Sequence, residues 1–410
     1  MHTHAEGGHD HRQAGFHDPG DADAEPRVGR ACPRTDRSHA PRGDAAPDAP
    51  RPHAQLAVGI TDVKLSSPAR HQLIPDWRVH PQESMHLDSN DRLRFQDDEL
   101  AQARQFNKKL AWMPRFRIRN RFTPLLIQSL LRVGQLRGAA RLARYGLQAQ
   151  RTTASVDGQQ VPVRIIRPKG RAKGVVLDFH GGGWVIGNAQ MNDDLNIAMV
   201  RACEVAVVSV DYRLAGSTPI EGLMDDCLVA ARWLLGDSCP EFAGLPVTVI
   251  GESAGGHLAA ATLLRLKAWP ELLRRVSGAL LYYGVYDLTG TPSVRAAGPD
   301  TLVLHGPGMA DALRLLTPGI SDEQRKAPHL SPLYGDFTGF PPALMWVGEL
   351  DPLRDDTLQM AERWSKHAGV EVHLLPAAPH GFIHFPTMMA DRVLEHSRAW
   401  ICRRIESVAG

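Results

Sequence analysis

Residues 251–255, Gly-Glu-Ser-Ala-Gly, set a serine between two glycines where an apolar run, VTVI, gives way to a helix-like one, AGGHLAAATLL. Flanking glycines let a chain turn sharply without side-chain clash and leave the Ser253 hydroxyl exposed. A hydroxyl at a strand-to-helix turn suits nucleophilic attack, but serine is a weak nucleophile at neutral pH. It needs a base, itself oriented by a carboxylate.

Candidates for both follow in the order Ser, acid, His, the chain order found in the fold that carries such a nucleophile turn. The segment ALMWVGELDPLRDD ends a strand-like run and puts Asp351 in the next loop. Glu349 is the second choice for the acid, while Asp355 and Asp356 suit the start of the following helix, where carboxylates favour the N-terminus. After one more strand, PAAPHGFIHF supplies His380 beside Gly381. His373 lies inside the expected strand and His384 follows four residues later, so His380 is preferred as the base. Asp351 and His380 both sit just beyond a strand, where open α/β sheets place their sites.

Upstream, FHGGGW carries three consecutive glycines after a strand-like run. Bare backbone there can turn N–H groups toward a developing oxyanion, each donor contributing on the order of 3 kcal/mol. With the amide after the nucleophile, this points to Gly182, Gly183 and Ala254 as the oxyanion hole. A phosphate-binding loop fits less well, because neither a G-x-G-x-x-G fingerprint nor a P-loop lysine is present.

The elements that must position these groups are legible from about residue 153 onward. Apolar runs at 161–168, 174–180, 205–210, 246–250, 278–284, 343–347 and 370–375 read as strands, several buried on both faces. Helical segments near 191–203, 221–235, 254–268 and 355–368 separate them, which gives an α/β domain with a mainly parallel sheet flanked by helices over 153–410. Residues 85–152 read as a basic helical cap. DDELAQARQFNKKLAWM forms one helix ending before Pro114, and a second starts with Thr123 as N-cap and Pro124 at the first helical position. Between them RFRIRNRF alternates arginine with apolar residues, a pattern that also suits a membrane-surface anchor. Gly134 and Gly138 argue for close packing instead. Residues 1–84 are rich in His, Pro, Asp and Arg and are expected to be a disordered tail, with His2, His4, His9 and His11 solvated rather than metal-bound. Globular patterning begins just after Met85, which makes that methionine a candidate start of translation.

A formal net charge of +2 disfavours nucleic acid as a partner. Five scattered cysteines with no C-x-x-C pair fit neither a disulfide framework nor a zinc site. With no membrane-length apolar run and no signal peptide, the expected compartment is the cytoplasm. Neither the oligomeric state nor the natural substrate is readable.

In order, HGGGW, DYRLA, GESAGG, SPLY, DPLRDD and HGF resemble the bacterial hormone-sensitive-lipase-like esterases of the α/β-hydrolase fold, over about 153–400. The resemblance implies Ser253 as nucleophile, Asp351 as acid, His380 as base and Gly182, Gly183 and Ala254 as oxyanion donors. It further implies that His180 shapes the glycine loop, that Asp211 and Arg213 support it from beneath, and that Glu252 marks an acidic branch. One departure is that Ala215-Gly216-Ser217 replaces the usual Ala-Pro-Glu. The implied activity is hydrolysis of short to medium acyl esters through an acyl-enzyme, without metal or organic cofactor, in a cap-lined pocket for which Trp184 is a candidate wall. An amidase or peptidase would use the same triad. Plant gibberellin receptors also resemble this family, so a small-molecule binding protein is a further alternative. Those receptors lack the catalytic histidine, whereas His380 is present here.

Overall fold

In a computed structural model, residues 93–117 and 122–409 are described; the tail expected over 1–84 and Met85 lie outside the described residues. An eight-stranded sheet runs in the order β1-β2-β4-β3-β5-β6-β7-β8. Its strands are β1 (Ala149–Val156), β2 (Gln159–Ile166), β3 (Val175–Phe179), β4 (Ala206–Val210), β5 (Val247–Glu252), β6 (Val276–Tyr282), β7 (Ala343–Gly348) and β8 (Val370–Leu375). β2 pairs antiparallel with both β1 and β4, and every other neighbouring pair is parallel. The seven expected strands are all present. β1 is an addition: AQRTTASV carries too few apolar residues to announce itself, and it starts inside the segment read as cap.

The long apolar runs are explained by burial on both faces. In β3, Val175, Leu177 and Phe179 enter one core and Val176 the other; in β7, Ala343 and Met345 oppose Leu344 and Trp346. Helices α1 (Asp97–Leu110), α2 (Phe122–Gly134) and α3 (Gly138–Arg144) precede the sheet; α4 (Asp193–Cys203), α5 (Ile220–Leu235), α6 (Ala254–Leu266), α7 (Arg354–Trp364) and α8 (Met388–Ala409) are interleaved with it or follow it. The first core takes residues from α5, α6 and α7; the second takes them from α1, α3, α4 and α8. A buried two-pronged ion pair, Arg164 Nε and Nη2 to the two oxygens of Asp193 at 3.0 and 2.7 Å, ties β2 to α4.

The helices before the sheet follow their sequence signals in part. α1 opens with a capping box in which the Gln96 amide donates to Glu99 Oε2 at 2.7 Å. The second helical segment breaks after Gly134, passes through a 3₁₀ turn and resumes at Gly138. Gly138 is in close contact, since a Cβ there would lie 2.1 Å from Gln190 Nε2, whereas Gly134 faces open space. Gln128 and Gln135 clamp α2 onto the loop after the glycine run through Gly187 and Asn188. The opposite face of α2 leaves Leu126, Leu130 and Val133 exposed, and Leu125 is exposed as well. No described helix is long and apolar enough to cross a membrane.

Candidate active site

Parallel register brings the candidate residues to one edge of the sheet. Phe179 of β3 pairs with Gly251 of β5, Glu252 with Tyr282 of β6, Tyr282 with Trp346 of β7, and Gly348 with Leu375 of β8. The glycine loop, the serine, Asp351 and His380 each follow one of these strand ends within a few residues.

At the end of β5 the backbone reverses into α6 through Ser253, whose φ of 52° and ψ of −119° lie where a side chain is strained. The reversal needs bare neighbours. A Cβ on Gly255 would lie 1.9 Å from the carbonyl oxygen of Phe179, and one on Gly251 would lie 2.3 Å from that of Gly255. Ser253 Oγ stands 3.0 Å from His380 Nε2, and His380 Nδ1 stands 2.9 Å from Asp351 Oδ2. The second oxygen of Asp351 accepts the Leu353 amide at 2.8 Å. This fixes the tautomer: Nδ1–H donates to the carboxylate, leaving the Nε2 lone pair for the serine proton.

The other acids and histidines lie elsewhere. Glu349 is exposed. Asp355 accepts the Ser293 amide at 2.9 Å, and Asp356 is buried, accepting from Tyr286 and Asp287 amides and the Thr291 hydroxyl. Burial, outweighing those hydrogen bonds, pushes Asp356 up to about 7. Both sit in the first turn of α7, as expected. His373 is in β8, and His384 pairs with Glu252, not with the serine.

The amides of Gly182, Gly183 and Ala254 have no acceptor among the described residues, and Ala254 opens α6, where the helix dipole adds to its pull on an anion. Gly182 has φ +106°, and a Cβ on it would lie 2.2 Å from the Ile186 carbonyl oxygen. His180 is buried beneath the loop, where its Nδ1 bonds the Gly181 carbonyl at 2.8 Å. Burial lowers the His180 pKa and so favours its neutral form. Its ring stacks on Tyr212 at 4.1 Å, and the Tyr212 hydroxyl donates to the His180 carbonyl at 2.6 Å. Asp211 accepts the Ala189 amide beyond the loop at 3.1 Å, but Arg213 turns away to Asp226 and the Gly222 carbonyl. The support nearest the glycines is therefore Tyr212, the uncharged middle residue of the Asp-Tyr-Arg motif. The Ala215 amide, in the departing Ala-Gly-Ser segment, donates to the Trp184 carbonyl at 2.7 Å.

Trp184 is buried in the core. Its Nε1 donates to His257 Nδ1 at 3.3 Å, and His257 Nε2 donates to the Leu330 carbonyl at 2.8 Å. Burial holds His257 at about 4, so this relay stays neutral. The Trp184 indole does not line the cavity next to the site. That cavity, about 640 Å³, is walled by Leu110, Met113, Phe116, Ile127, Val303 and Phe385. Phe116 marks where it meets the glycines, its ring lying 3.4 Å from the point a Gly183 Cβ would occupy. The Phe116 amide and carbonyl bond Val303 and His305, stitching the segment between α1 and α2 to the body of the domain.

One further residue, Tyr283, and the pairing of two already named, Glu252 and His384, escaped the sequence reading. Tyr283, just past β6, sets its ring edge-on to His380 at 4.7 Å and donates its hydroxyl to Glu252 Oε2 at 2.9 Å. His384 Nε2 reaches the same oxygen at 2.6 Å. Burial alone would raise Glu252, but the charge and hydrogen bond of His384, the Tyr283 hydroxyl and the charge of His380 outweigh it and hold the carboxyl at about 2. The Glu252 charge in turn raises His384. A tyrosine ending an apolar run gives no hint of this contact, and a glutamate and a histidine 132 residues apart meet only through the fold.

Residues 176–384 match the α/β hydrolase fold family. The chain is 34% identical over 256 residues to carboxylesterase NlhH of Mycobacterium tuberculosis, covering 58% of this chain and 76% of that protein. It is 31% identical over 247 residues to an ethyl acetate hydrolase of Pseudomonas putida, covering 57% and 75%. Among solved structures it is similar to the esterase LipW from Mycobacterium marinum, with TM-score 0.65, 27% identity, and coverage of 74% of this chain and 96% of that one. A hormone-sensitive lipase from a metagenome library gives TM-score 0.61 at 25% identity, covering 74% and 98%. Sheet order, serine turn and these likenesses agree, and the chain belongs to the hormone-sensitive-lipase-like esterases of the α/β-hydrolase fold.

Proposed function

We propose that the protein hydrolyses short to medium acyl carboxylic esters through an acyl-enzyme on Ser253. The observation that carries this is the aligned pair of contacts, Ser253 Oγ to His380 Nε2 at 3.0 Å and His380 Nδ1 to Asp351 Oδ2 at 2.9 Å. The ester hydrolases among its relatives support the reaction class.

In this reading His380 takes the serine proton as Oγ attacks the ester carbonyl, and Asp351 stabilises the imidazolium that forms. The carbonyl oxygen becomes an oxyanion against the free amides of Gly182, Gly183 and Ala254, each worth on the order of 3 kcal/mol. His380 then hands its proton to the leaving alcohol. A water that gives its proton to His380 attacks the acyl-enzyme, and the acid departs as Ser253 is reprotonated. The apolar cavity of about 640 Å³ receives the acyl or alcohol group, with the segment before β1 serving as cap. The described cysteines Cys203, Cys227, Cys239 and Cys402 are all free, which supports action in a reducing cytoplasm.

Hydrolysis of a p-nitrophenyl ester series, acetyl through dodecanoyl, by the wild type beside Ser253→Ala tests the proposal. Activity on the shorter esters that disappears in the variant is expected. Equal activity in both proteins would remove Ser253 from the mechanism, and equal inertness would favour a binding protein.

A further inference from the structure

The edge strand β8 and the C-terminal helix α8 bring three metal-ligating side chains together, apart from the triad. Glu371 and His373 are two residues apart on β8 and so share a face. His396 comes from α8. The Nε2 atoms of His373 and His396 lie 2.7 and 2.6 Å from the same oxygen, Glu371 Oε1. All three donor atoms lie within 4.8 Å of one another. Trp346 forms the floor, stacked on His373 at 4.1 Å and edge-on to His396 at 5.4 Å. The imidazoles are 10% and 13% exposed but the carboxylate is 34% exposed, which leaves an ion a way in.

We propose that Glu371, His373 and His396 bind one first-row divalent metal ion, zinc best of all, as a clamp between β8 and α8. Two imidazoles and one carboxylate are borderline donors that suit zinc, whereas magnesium and calcium favour all-oxygen sets. Zinc–ligand bonds of about 2.0–2.2 Å at tetrahedral angles set ligand atoms about 3.3 Å apart. Each histidine–carboxylate pair therefore needs to open by about 0.6 Å, with the two imidazole nitrogens, already within 4.8 Å, settling at the same spacing, a small change for side chains that reach the surface; water fills the fourth position. The ion takes no part in acyl transfer. Its effect is on the chain between its ligands, because residues 373–396 include His380 and His384, and tying the ends of that stretch lowers the entropy it gains on opening. The clamp also adjoins the base through one relay. The carbonyl of Trp346 accepts the Tyr283 amide at 2.7 Å, and the Tyr283 ring lies against His380.

The test uses the full chain, stripped with a chelator, and compares wild type with Glu371→Gln, His373→Ala and His396→Ala. Bound zinc is counted by equilibrium dialysis, cobalt(II) is followed by visible absorption, and unfolding midpoints are read with and without zinc. The wild type is expected to hold one more equivalent of zinc than each variant, to show the intense cobalt bands of a four-coordinate site, and to gain a zinc-dependent midpoint that the variants lack. Losing a ligand should weaken that site by more than the roughly 10–100-fold that an outer-shell partner costs. If His396→Ala keeps the same zinc count, cobalt spectrum and midpoint shift, the metal sits elsewhere, as on the histidines of residues 1–84, and the proposal fails. Should one variant fail to fold by circular dichroism, the variants on the other element give the same reading.

Discussion

Glu252→Gln separates the role of this carboxylate as a charge from its role as a shape. The side chain sits beside Ser253, accepts from Tyr283 and pairs with His384 at 2.6 Å. Its carboxyl falls from an ordinary 4.5 to about 2. At 1.36 kcal/mol per pH unit this corresponds to about 3 kcal/mol of folding stability. That is an upper value, since the His384 side chain is 39% exposed and solvent screens its end of the pair. The signs of the two groups differ. A depressed carboxyl stabilises fully above its unfolded value near 4.5, and the contribution is lost as pH falls through about 2. A raised histidine stabilises fully below its unfolded value near 6.5, and the contribution is lost as pH rises through the folded value. The gap between wild type and variant is therefore widest from about pH 5 to 6.5. Urea unfolding at pH 6 should show a loss of about 2–3 kcal/mol, shrinking at pH 9. A gap below about 0.5 kcal/mol at pH 6, or one equally large at both pH values, refutes the charge pairing.

Other substitutions probe the site and its frame. Asp351→Asn should lower kcat by about 10⁴-fold in the p-nitrophenyl assay with little change in the unfolding midpoint, because it disturbs the tautomer of His380 more than the packing. Gly182→Ala places a Cβ 2.2 Å from the Ile186 carbonyl at a φ of +106°, and should cost at least about 10²-fold in kcat. Gly134→Ala meets nothing within 4 Å and should leave activity intact while raising stability by up to about 1 kcal/mol. Asp193→Ala strands the buried Arg164 guanidinium and should cost about 3–5 kcal/mol by urea unfolding, whereas Arg141→Ala, which breaks the partly exposed pair with Asp194, should cost under about 1 kcal/mol.

Local pattern was enough where a residue's role depends on its neighbours in the chain. The strand-turn-helix around Ser253 could be read because a reversal with φ of 52° needs glycines on both sides, and those glycines are adjacent in sequence. The parallel sheet could be read because strands buried on both faces must be apolar at nearly every position, as β7 is throughout and β3 is apart from the buried, hydrogen-bonded Asp178. β1, exposed along much of its length, lacks that signature. α8 went unread as well, a 22-residue helix in which apolar positions are diluted by charge.

The order of Ser253, Asp351 and His380 along the chain and the bare backbone of the glycine loop were legible before folding, since chain order and glycine placement are properties of the string. The partners those groups meet came from the fold. It chose Tyr212 rather than Arg213 beneath His180, set Tyr283 against His380, joined Glu252 to His384, turned Trp184 inward to His257, and gathered Glu371, His373 and His396. The physical reason is that each of these contacts joins segments that meet through strand register and helix packing. Register is set by the summed burial of two cores and not by any local pattern.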